Sequence, residues 1–119
     1  MKRPFRRSLA DSWRGLKHAV RTERNLTIHL VLFAIALLAF FLLGARPLEL
    51  VIVVLTGGLV IVAELINTAV ENLIDLNTDR RYHPLAWVGK DVAAGAVLFT
   101  ALLSLVVAAL VLVNISLRW

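Results

Sequence analysis

Glu64, Asn67, Glu71 and Asp75 recur at spacings of three, four and four residues within one apolar stretch. At about 100° per residue, a helix would gather these four side chains into a stripe about 80° wide. Two or three carboxylates in such a row suit a Mg²⁺ ion, which takes oxygen ligands and usually keeps water positions that a phosphate can share. The plainer reading is a polar seam that specifies helix association. It suits Asn67 alone better than Glu64 and Glu71 together, because membrane seams are built mostly from small and uncharged polar residues. Further on, Gly89, Lys90 and Asp91 open a run of small residues from Val92 to Ala96. A lysine at a helix start adds positive charge to an end that already favours anions, so this segment would either hold phosphate or serve as an interfacial anchor and cap.

The elements that must position these residues follow from composition. The chain has 119 residues, 60% of them hydrophobic, and a mean hydropathy of +0.83. A chain so short buries only part of its surface, so this excess of apolar side chains excludes an ordinary water-soluble fold. Residues 25–45 and 92–117 carry no Asp, Glu, Lys or Arg. Each run exceeds the roughly 20 residues a helix needs to cross a bilayer. Residues 48–74 are equally apolar but contain Glu49, Glu64 and Glu71. The expected fold is all-α and integral to the membrane, with transmembrane helices over 27–45, 48–76 and 86–115 in one domain spanning 1–119. A helix over 48–75 is about 42 Å long against a hydrocarbon core of about 30 Å, so its acidic end overhangs the headgroups. A carboxylate inside the bilayer costs about 2.5–3.5 kcal/mol, which marks Glu64 and Glu71 as functional candidates.

Eight of the thirteen Lys and Arg residues precede residue 25, and three more fall between Arg80 and Lys90. The positive-inside rule puts both groups on the cytoplasmic face, giving a multi-pass protein of the cytoplasmic membrane with its N-terminus inside. The excess charge lies beside apolar runs and suits an anionic membrane face, not nucleic acid. Phe5, Leu9, Trp13, Leu16 and Val20 form one apolar stripe among Arg6, Arg7, Arg14, Lys17 and Arg21. An amphipathic surface helix over 4–24 is expected, lying flat on the membrane. The absence of cysteine excludes thiolate catalysis and Cys-ligated zinc, and no GxxxxGK[ST] or GxGxxG segment is present. His18, His29 and His83 lack paired metal-ligand spacing; His29 reads as an interfacial residue and His83 as a loop residue near a nucleotide.

The stretches Glu64 to Asp75, Tyr82-His83-Pro84-Leu85 and Gly89 to Val97, with Ser12 to Leu16 and Glu23 to His29 upstream, together resemble the small trimeric prokaryotic lipid kinases, which comprise diacylglycerol kinase and undecaprenol kinase. The Glu23 to His29 and Tyr82 to Leu85 stretches look closer to the undecaprenol kinase branch. The resemblance implies a homotrimer with active sites shared between subunits. It also implies ATP- and Mg²⁺-dependent phosphorylation of a lipid hydroxyl, with undecaprenol favoured and diacylglycerol the alternative. By the same resemblance Glu64 is the general base and Asn67 a polar active-site residue beside it. Glu71 and Glu23 are the Mg²⁺ ligands, and Asp75, Tyr82, His83, Lys90 and Asp91 lie at nucleotide-binding positions.

A rival from another class is a small oligomeric channel or proton-coupled transporter subunit, with the acidic stripe as its ion path. Such a path would continue across the bilayer, whereas residues 50–63 offer only Thr56 and glycines as breaks in the apolar run. A purely structural membrane protein would leave the cost of Glu64 and Glu71 without a purpose.

Overall fold

The computed structural model describes residues 2–119 and consists of four helices: α1 (Phe5–Thr22), α2 (Arg24–Leu42), α3 (Pro47–Thr78) and α4 (Pro84–Ser116). The last three are long and apolar enough to cross a membrane. At 1.5 Å per residue, α2 is about 28 Å long while α3 and α4 approach 50 Å. The α3–α4 pair is the main packing unit; α2 lies against α3, and α1 packs chiefly on α2.

Helix ends depart from the sequence expectation where charge was used as the boundary signal. The span expected over 27–45 is the helix Arg24–Leu42, shifted toward the N-terminus. A single extended residue, Glu23 (φ −107°, ψ 105°), separates it from α1. The hydroxyl of Thr27 donates to the carbonyl of Val20 at 3.1 Å across this break, and Leu26 beside it is buried. Helix α2 stops early because Gly44 takes φ +90°, a left-handed conformation that glycine adopts without steric cost.

Local chemistry explains α3 and α4. Pro47 occupies the first turn of α3, where its missing N–H is no loss, and the Glu49 carboxylate accepts from the Arg46 backbone N–H at 2.8 Å. At the other end Asp79 and Arg80 both adopt positive φ, and the backbone N–H of each donates to the Asp75 carbonyl. Pro84 starts α4, and the Nδ1 of His83 accepts from the Leu85 N–H at 3.2 Å as an N-cap.

Little of this is a conventional core. Phe40, Val53, Val111 and Ile115 form a buried cluster at the end of the bundle where α2 turns into α3. Elsewhere large apolar side chains stand exposed along every helix, including the α1 stripe of Phe5, Leu9, Trp13, Leu16 and Val20. Exposed apolar surface on this scale fits contact with lipid or further chains, not water.

Candidate functional site

The acidic stripe of α3 forms as one face, graded in depth. Glu64 is 3% exposed and Asn67 9%, while Glu71 and Asp75 are half-buried. The Asn67 amide donates to the Glu71 carboxylate at 3.3 Å. Its carbonyl oxygen Oδ1 is buried without a hydrogen-bond partner. The Glu64 carboxylate accepts no hydrogen bond among the described residues. Only its backbone carbonyl is engaged, by the Thr68 hydroxyl at 3.0 Å. Buried polar groups normally find partners, so an open carbonyl beside an open carboxylate is unusual.

Glu23 is half-buried at the break between α1 and α2. One side chain from another helix meets Glu64. His29, one helical turn into α2, brings its Nε2 to 3.8 Å from Glu64 Oε2. The sequence alone gives His29 as an interfacial residue; the structure adds its approach to Glu64. No periodicity signalled the contact, because α2 carries no polar stripe for His29 to join.

The second half of the site is a pair across the hairpin. Lys90 Nζ donates to Asp75 Oδ1 at 2.6 Å, and the same ammonium lies 5.4 Å from the centroid of the Trp87 ring. Tyr82 stacks obliquely on Trp87, with centroids 5.9 Å apart. Trp87 is not among the site residues singled out from the sequence. Its place three residues before Lys90 on one helix was the available signal. Two expected positions stand apart. Asp91 is exposed on α4 and makes no side-chain hydrogen bond among the described residues, and His83 spends its Nδ1 on capping.

Beyond His29 an apolar cleft of about 450 Å³ runs between α2, α3 and α4, lined by Phe33, Phe40, Val53, Val60 and Leu105 among others. His29 lies at one end of it, one turn of α3 from Glu64 through Val60. Phe33 packs so closely on Gly57 that a Cβ there would overlap the ring. Thr56 and Ser104 are the cleft's hydroxyls, and both donate to carbonyls of their own helices: Thr56 to Ile52 at 3.1 Å, Ser104 to Ala101 at 2.8 Å.

Among the described residues no three His, Asp or Glu side chains gather as a closed metal nest. Carboxylates such as those of Glu23 and Glu71 are oxygen ligands of the kind Mg²⁺ takes, with water and phosphate oxygens completing its shell. The open Asn67 Oδ1 beside Glu71 is an additional oxygen of the right kind.

Comparison with known proteins bears on this geometry. The family profile described as prokaryotic diacylglycerol kinase matches residues 10–112. A protein of Synechocystis sp. named diacylglycerol kinase is 38% identical over 100 residues, covering 84% of this chain and 57% of the relative. The chain therefore spans little more than half the length of that relative. A Bacillus subtilis protein named undecaprenol kinase is 38% identical over 107 residues, covering 90% of this chain and 86% of the relative.

Proposed function

Because the chain belongs to the prokaryotic diacylglycerol kinase family, we propose that it is a lipid kinase: it transfers the γ-phosphoryl group of ATP to the hydroxyl of a membrane lipid, favouring undecaprenol over diacylglycerol. One observation carries this reading. Glu64, a buried residue whose carboxylate accepts no hydrogen bond among the described residues, stands one helical turn beyond the end of an apolar cleft. A lipid alcohol lying in that cleft presents its hydroxyl to Glu64, which takes the hydroxyl proton as the oxygen bonds to the γ-phosphorus. The bond from that phosphorus to the β–γ bridging oxygen breaks, and ADP leaves with the electron pair.

The remaining residues position charge. Lys90, held by Asp75 against Trp87, offers its ammonium to the phosphates, and Tyr82 extends the aromatic surface on which an adenine can stack. His83 and Asp91 border the same region. Glu23 and Glu71 would hold Mg²⁺, whose charge would offset that of the triphosphate. Asn67 fixes Glu71 through its amide and turns its free carbonyl toward the reacting groups. The site end of the hairpin, with Arg80, Arg81 and the basic α1, faces the cytoplasm, and α1 lies on the membrane surface. The α3 face opposite Glu64 exposes Leu55, Leu59, Val62 and Ile66. That surface supports assembly with further copies; the homotrimer with active sites shared between subunits is what the family resemblance implies.

The preference for undecaprenol rests on what the cleft lacks. Its two hydroxyls already donate to backbone carbonyls. The ester carbonyls of diacylglycerol would be desolvated there with little to donate to them, whereas an isoprenoid alcohol has no such acceptors. The apolar course of the cleft also argues against an ion path.

The test is phosphate transfer from ATP by the purified protein in mixed micelles, with undecaprenol and diacylglycerol offered in parallel and Glu64→Gln as control. Transfer to undecaprenol that the variant loses supports the full reading. Preference for diacylglycerol keeps the kinase and reverses the substrate. No transfer to either lipid by folded protein overturns it.

A further inference from the structure

We infer that His29 is the second half of a two-point seat for the lipid hydroxyl, donating from Nε2 to the hydroxyl oxygen whose proton Glu64 removes. This rests on the lipid-kinase reading and adds to it a residue on a different helix. Three independent features place His29 there. It is half-buried on an otherwise apolar stretch of α2. It lines the cleft, where the only other side-chain donors among the described residues, Thr56 and Ser104, are already committed. It faces Glu64 across 3.8 Å, Nε2 to Oε2, which is too long for a direct hydrogen bond.

That separation is the useful one. An oxygen can lie at hydrogen-bond distance, about 2.8 Å, from both atoms at once, at the apex of a shallow triangle over the gap. A lipid alcohol there uses its oxygen completely. One bond goes to carbon, the hydrogen points to Glu64, one lone pair accepts from His29, and the remaining lone pair is free to attack phosphorus. As the oxygen bonds to the γ-phosphorus its proton passes to Glu64 and ADP departs, while His29 keeps its own proton throughout. Glu64 alone could accept that hydrogen from any direction, including from water. The second contact fixes the oxygen at the end of the cleft, where a long-chain alcohol delivers its hydroxyl and a free water molecule has no tail to hold it.

The experiment compares wild type, His29→Leu and His29→Gln in mixed micelles containing undecaprenol, measuring lipid phosphate and free inorganic phosphate from the same reaction. Glutamine can place an amide N–H near the position of Nε2, whereas leucine fills the volume without a donor. His29→Leu is expected to lower kcat/KM for the lipid by roughly 10- to 100-fold and to raise the fraction of consumed ATP that ends as inorganic phosphate. His29→Gln is expected to recover most of both. A general folding defect would lower both products together and leave their ratio unchanged. An unchanged ratio in His29→Leu, or a glutamine variant no better than leucine, overturns the seat while wild-type transfer keeps the kinase reading intact. Wild-type protein that transfers nothing overturns both.

Discussion

Glu49 and Glu64 are carboxylates on the same face-to-face helix pair, both under 10% exposed, and their surroundings are opposite. Glu49 accepts four hydrogen bonds: from the Arg46 backbone N–H, from Asn114 Nδ2 at 2.8 Å, and from the two forks of Arg118 at 2.8 and 2.6 Å. Arg118 also donates to the Gly44 carbonyl at 3.1 Å, so the turn after α2, the start of α3 and the end of α4 are tied at one point. Glu64 has none of this. Its nearest cation-forming neighbour, His29, stands beyond hydrogen-bond reach. A buried charge given four donors holds a structure together, whereas one kept without donors costs stability.

The comparison is broken most severely at Glu64. Glu64→Gln is expected to lower transfer by about 10³-fold, the scale of a lost general base, while Tm stays level or rises because a neutral amide replaces an uncompensated carboxylate. Activity measured beside thermal unfolding in one micelle preparation checks both halves. A variant that unfolds early would mean that Glu64 is a structural group like Glu49.

Asn67 sharpens the same point. Its amide serves Glu71, but its carbonyl is spare. Asn67→Ala is expected to reduce kcat by roughly 10- to 100-fold through misplacement of Glu71 and loss of the open oxygen, with little change in stability. Raising Mg²⁺ should recover part of the loss if Glu71 is a ligand. Lys90→Met comes next. Removing one ammonium from the phosphates is expected to raise KM for ATP about tenfold while leaving KM for the lipid unchanged. Steady-state kinetics with each substrate varied in turn separates the two.

What the sequence made legible is what one helix can encode. The Glu64, Asn67, Glu71 and Asp75 stripe appears because period alone puts these residues on one face. The start of α3 is readable in Arg46, Pro47 and Glu49. Contacts between helices were not readable. Lys90 and Asp75 both stood out, but nothing in either segment said that the ammonium meets that carboxylate. His29 was lost because a single polar residue on an apolar helix has no phase to compare with. Arg118 is 69 residues from Glu49, and only the antiparallel packing of α3 on α4 joins them. The α2 boundary was misplaced because a charge-free run marks where lipid begins, whereas the helix begins at the Glu23 break.

The smallest expected effect on turnover belongs to the clasp, and it tests whether the two ends really differ in kind. Asn114 and Arg118 lie beyond residue 112, where the family match stops, so the catalytic reading makes no use of them. Glu49→Gln weakens the arginine fork, and Arg118→Met leaves the carboxylate with only Asn114 and the Arg46 N–H. Each is expected to lower Tm by several degrees. The double variant should fall no further than the worse single one, because neither change then strands a charge. Transfer per folded protein should remain at the wild-type rate below the unfolding transition. Additive losses would mean that the two residues act through separate partners and not as one pair. A fall in turnover at unchanged Tm would carry the comparison further: the outer clasp would then set the register of α3 against α4, and with it the meeting of Asp75 and Lys90 at the opposite end.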